Sequence, residues 1–92
     1  MPIPDTDDPR EIFEHFSSEY AQALQAYKTI EQKASTLLMM GYTDDLRQFI
    51  DQFIEMATRT KAEAESRNET NFAEWFEELR SKAEKLRDGV PQ

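Results

Sequence analysis

Cysteine is absent from the 92 residues, and glycine (two), histidine (one) and tryptophan (one) are scarce. The lack of cysteine excludes disulfides, thiol nucleophiles and cysteine-based metal sites. Glycines at positions 41 and 89 alone are too few and wrongly placed for a dinucleotide loop or a P-loop. Long apolar runs are missing too. The longest is Leu37–Met40, far short of a bilayer span. The first nine residues, Met-Pro-Ile-Pro-Asp-Thr-Asp-Asp-Pro, carry neither a basic n-region nor an apolar h-region, so no secretory signal is expected and the cytoplasm is the expected location. Basic residues are outnumbered, 11 against 19 acids, for a net charge of −8. Such a surface repels phosphate backbones and anionic lipids, so neither nucleic acid nor membrane is expected as a partner.

What remains is enough to fold. Ninety-two residues make one small domain. Six Phe, three Tyr and one Trp supply aromatic surface that disordered chains lack. Residues 1–8 read as an extended acidic, proline-containing tail. Asp8-Pro9 then starts a helix, with Asp as N-cap and Pro at the first helical position. From there Phe13, Phe16, Tyr20, Ala23, Tyr27, Ile30, Ala34 and Leu37 step by three and four, a heptad seam. Ile12, Ala26, Met40, Leu24 and Leu38 widen it on both flanks, as in a helix that touches two neighbours. Gly41 suits the left-handed C′ position that ends this helix, with Tyr42 as C″ over Leu37.

A second helix is expected over about 44–67 with the seam Leu46, Ile50, Phe53, Ala57, Thr60 and Ala64. Phe49, Ile54 and Met56 broaden its first half. Its second half thins to Ala and Thr and is expected to be weakly anchored. Extending that seam lands on Arg67, Asn71 and Glu74, which are polar, so a break is placed at 68–71 rather than one long bent helix. The third helix, 71–88, carries Phe72, Trp75, Phe76, Leu79, Ala83 and Leu86. Its acids come first and its bases last, matching its own dipole. Asn71 with Glu74 has the spacing of a capping box, and Gly89 with Pro91 closes the helix. Residues 89–92 form a short tail.

The fold expected is all-α: a small antiparallel three-helix bundle, up-down-up, with a long first helix. At ~1.5 Å per residue the helices span roughly 48, 36 and 27 Å. The excess of the first, with its aromatic stripe, suggests completion by dimerisation.

Chemistry-bearing patterns are sparse. His15 lies off the seam and is expected to face solvent, with Glu11 and Glu19 four residues to either side. Those three would make only a weak, open metal site, and the Glu-x-x-His pair of di-iron bundles is absent. Carboxylate pairs such as Asp44-Asp45 and Glu77-Glu78 read as dipole-matching residues at helix starts, not as an acid–base dyad. No catalytic residue, metal or cofactor is expected. Ala21–Tyr27 resembles part of the second helix of a tetratricopeptide repeat, but no self-similarity at a repeat period accompanies it, so no family is carried over.

The expected function is a non-enzymatic protein-interaction module, an adaptor or small subunit, acting through apolar helix faces and self-associating as a homodimer. The candidate interface residues are Tyr20, Tyr27, Met39, Met40, Tyr42, Phe49, Met56, Phe72, Trp75 and Phe76, types enriched in interface cores. The alternative is an acidic nucleic-acid mimic that occupies a basic cleft of a target protein. It rests on the −8 charge and on the first twenty residues, which hold six acids and one base.

Overall fold

Asp8 is the N-cap of the first helix. Its carboxylate accepts a hydrogen bond from the Arg10 backbone N–H at 3.0 Å, and Pro9 occupies the first turn of α1 (Pro9–Met39). The computed structural model describes residues 7–91; most of the N-terminal tail, residues 1–6, lies outside the described residues. Two further helices follow, α2 (Thr43–Ser66) and α3 (Thr70–Asp88). They form an antiparallel, up-down-up bundle, 47 × 16 × 16 Å along its principal axes. Among the described residues no helix is long and apolar enough to cross a membrane.

Both connections are three-residue reversals built the same way. At the first, Gly41 takes φ +83°. Tyr42 N–H donates to the Leu37 carbonyl at 2.8 Å, and Gly41 N–H donates to that of Leu38 at 3.2 Å. This double closure is a Schellman ending with glycine at C′. At the second, Asn68 takes φ +61°, Glu69 N–H donates to Ala64 at 2.9 Å, and Asn68 N–H donates to Glu65 at 3.1 Å. Asparagine is among the few side-chain-bearing residues that visit this region readily. The break between α2 and α3 therefore falls at 67–69. The expected Asn71–Glu74 capping box does not form: α3 starts one residue earlier, behind Glu69, and no side chain caps it. Gly89 is the C-cap of α3, in right-handed geometry at φ −80°, and Val90 beyond it is buried.

The core runs along one meridian of each helix. Phe16, Leu46, Ile50, Phe76 and Leu79 are the largest fully buried side chains. On α2 all six seam residues, Leu46 to Ala64, are buried as the periodicity requires. The expectation that the second half of α2 is weakly anchored is wrong. Ala57, Thr60 and Ala64 are at most 5% exposed, because small side chains let neighbouring helices come close.

On α1 the seam is only partly buried. Phe16, Ala23 and Ala34 are in the core, Tyr20, Tyr27, Ile30 and Leu37 are half-buried, and Phe13 is 57% exposed. The reason is geometric. A strict heptad on a straight helix drifts ~20° per repeat, about 70° between Phe13 and Leu37, so the stripe spirals across the contact face. At the N-terminal end the buried residues are instead Ile12, His15 and Phe16. His15 is therefore not on the solvent face, correcting the sequence reading. It is 9% exposed, packs edge-on against Phe16 at 5.0 Å, and its Nε2 has no hydrogen-bond partner among the described residues.

α2 and α3 share the larger interface and are tied by charge as well. Lys61 of α2 reaches Glu77 of α3 at 3.0 Å, and Arg87 pairs with Asp51. Arg80 donates to the same Glu77 through Nε at 2.9 Å and through a terminal guanidinium nitrogen. Hydrogen bonds from Arg80 and then Lys61 hold the Glu77 carboxyl down to about 2 from an ordinary 4.5.

Candidate partner-binding groove

The bundle is not uniformly closed. An open groove of about 860 Å³ runs between α1 and α2 in the half nearest their connection, and no residue of α3 lines it. Its α1 wall is Ala21, Ala26, Ile30 and Leu37, and its α2 wall is Leu46, Phe49, Phe53 and Met56. The residue sizes explain it. Away from the groove the α2 contact residues are small (Ala57, Thr60, Ala64) and along it they are large (Phe49, Phe53, Met56), and larger side chains at a contact hold helix axes further apart.

Polar side chains line the groove without charging it. Gln22, Gln25, Thr29 and Gln52 are neutral, and Lys33 is the one charged lining residue. No acid lines it, although the chain carries 19. Tyr27 stands behind the floor, its ring 5.9 Å from that of Phe53. Burial and then a hydrogen bond with Glu31 raise the Tyr27 hydroxyl above its ordinary value, so it remains a neutral donor.

The expected interface residues fall into four places. Phe49 (49% exposed) and Met56 (half-buried) lie in the groove, with Tyr27 behind it. Met39, Met40 and Tyr42 project at the α1–α2 turn, 88%, 63% and 47% exposed. Tyr20 and Trp75 pack on each other at 5.4 Å near the other end, where Trp75 also meets Phe72 at 5.2 Å. Phe72 and Phe76 are buried, 3% and 0% exposed, and belong to the core rather than to any free surface. Phe13, stacked edge-on against Phe72 at 5.5 Å, is exposed beside them.

Sequence reasoning missed Ala21, Ala26, Ile30, Leu37, Leu46 and Phe53 as groove walls, having assigned most of them to the seams. One signal could have found the α1 wall. Between Tyr20 and Met40 the only charged residues are Lys28, Glu31 and Lys33. A helix with two exposed alanines and a glutamine- and threonine-rich outer face departs from the charged surface of the rest of the chain.

The arrangement offers apolar contact area and neutral hydrogen-bonding groups. Among the described residues, no group of three or more His, Asp or Glu side chains stands where it could hold a metal ion. No family model matches the chain, and no curated protein or solved structure matches it either.

Proposed function

We propose that this protein is a non-enzymatic protein-interaction module whose binding surface is the α1–α2 groove, which accepts the apolar face of a partner helix. The observation that carries this reading is the half-covered α1 stripe. Tyr27, Ile30 and Leu37 are at heptad spacing but only half-buried, and Phe49 and Met56 face them across an acid-free cleft. A helix laid in such a cleft buries apolar surface at ~25 cal/mol per Å² and completes a four-helix arrangement. The neutral lining residues then hydrogen-bond across the new contact, and only Lys33 brings charge to it.

The test compares affinity purifications of the wild-type chain and Phe49→Asp from the native cell. Phe49 is half-exposed, so the variant keeps its helical content. Loss of co-purifying proteins on the variant supports the groove. An unchanged set of partners refutes it.

A further inference from the structure

We infer that the occupant of the α1–α2 groove is a second copy of the same chain, giving a two-fold dimer in which two α1–α2 hairpins face each other with α3 on the outside. This rests on the groove being the binding surface and names its partner.

Charge selects the occupant. Residues 20–40 carry a net +1, so the rest of the chain carries −9. The excess acid lies mainly in residues 1–19, which carry −5, and none lines the groove, so two copies meet there without that repulsion. There Lys33 lines the α1 side, while Glu55 is exposed on α2 between Gln52 and Met56. Among the described residues no ion pair involves Lys33 or Glu55. A two-fold perpendicular to the helices passes near Thr29 and Ile30, the midpoint of the α1 wall. It sets α1 antiparallel to its copy, opposing their dipoles. Tyr27 packs on Phe53 within one chain, so residues near 26 on α1 stand level with residues near 54 on α2. Rotation about that axis brings Lys33 of one copy to the level of Glu55 in the other, twice over.

Shape agrees with charge. The groove needs an apolar helix with small residues that allow close approach, and α1 supplies one in Ala26, Ile30 and Leu37. From Ala21 to Leu37 the wall is ~24 Å long, and two helices side by side are ~20 Å wide. The footprint is therefore roughly 500 Å² per copy, about 1,000 Å² in total, at the small end of specific interfaces. Dissociation is expected in the micromolar range.

Sedimentation equilibrium of the full chain from about 1 to 200 µM, spanning that range, reads the proposal directly. The expected result is a monomer–dimer equilibrium that Phe49→Asp abolishes without changing the helical circular dichroism. Lys33→Glu weakens dimerisation about tenfold through two symmetry-related contacts, and adding Glu55→Lys restores it. Because the chain has no cysteine, Thr29→Cys gives a clean second readout. It forms a disulfide-linked dimer on oxidation, and Lys82→Cys on the outer helix does not. A wild-type monomer at the top concentration overturns the proposal. A dimer indifferent to Phe49→Asp and to the Lys33 and Glu55 exchange also overturns it. A monomer that still loses other partners on Phe49→Asp leaves the groove standing as a binding surface and removes only the second copy. Partners indifferent to that substitution remove the groove itself.

Discussion

His15→Leu should make this protein more stable, and the size of the gain follows from the site. The imidazole is 9% exposed and its Nε2 has no hydrogen-bond partner among the described residues. A buried polar group left unpaired costs about 1–3 kcal/mol relative to its hydrated state. Leucine is similar in size and carries no polar atom, so it removes that cost and fills most of the space. Against the gain stands the loss of the edge-on ring contact with Phe16 at 5.0 Å, for which about 0.5–1.5 kcal/mol is typical of aromatic pairs. The net is about 1 kcal/mol in favour of leucine. For a domain of this size it corresponds to a rise of about 4–8 °C in melting temperature. Thermal unfolding followed at 222 nm, at neutral pH and fixed protein concentration, measures it. His15→Ala serves as the control, and it should lower the melting temperature because it leaves a cavity. A fall with leucine as large as that with alanine would refute the reasoning, because the imidazole would then be contributing a polar interaction in the native fold.

The two helix connections make a matched pair of expectations. Gly41→Ala meets no atom within 4 Å but must hold φ at +83°, so it should destabilise by about 1–2 kcal/mol through backbone strain alone. Asn68→Gly should stabilise by a few tenths of a kcal/mol or more at φ +61°; urea titrations of both variants decide, and a neutral Gly41→Ala would contradict the strain. Acid should weaken the α2–α3 clamp. The Glu77 pKa is depressed to about 2 from 4.5. Its contribution is therefore complete above pH ~4.5 and is lost as pH falls toward ~2. Glu77 is more than a third exposed, so solvent screening limits the effect to about 1 kcal/mol or less. Stability of Glu77→Gln should vary less with pH than wild type across that window, and parallel curves would contradict the assignment.

The helices were legible because their ends carry local chemistry. Asp8-Pro9 and Gly41 act within a few residues of themselves, through an N-cap and a positive φ, so no knowledge of the tertiary fold is needed to read them. The α2 seam was legible for a different reason: α2 has neighbours on both flanks of its stripe, so every seam residue is covered. The phase of α1 was not legible. A heptad count treats Phe13 and Leu37 as one line, but on a helix with 3.6 residues per turn the seam drifts about 70° between them, and only packing decides where along that spiral the core falls. It falls at Ile12, His15 and Phe16 at one end and leaves Ile30 and Leu37 half open at the other. The groove was hidden by the same step, because its walls had been counted as core. The anchoring of α2 was misread by equating large side chains with strong packing. Ala57 and Ala64 are buried completely because they are small.

These departures have a common cause in how side-chain size is distributed along α2. From Ala64 to Ala57 the α2 contact residues are small and from Phe53 to Leu46 they are large, which favours closer approach of the helices at the first end than at the second. The aromatic cluster of Phe16, Phe72, Tyr20 and Phe76 anchors α1 at the closed end. Lys61–Glu77 and Arg87–Asp51 meanwhile hold α2 to α3 along their length. The open end of α1 is thus left with Tyr27 on Phe53 and a stripe facing a cleft. In a domain this small, each uncovered apolar residue is a large fraction of the available core, since small chains bury a lower share of their surface. Neutral residues on the walls, in a chain of net charge −8, remove the repulsion that would otherwise keep a second helix out. Apolar area and the absence of acid from the groove lining are independent observations, and both support the proposal that another chain docks on this stretch of α1.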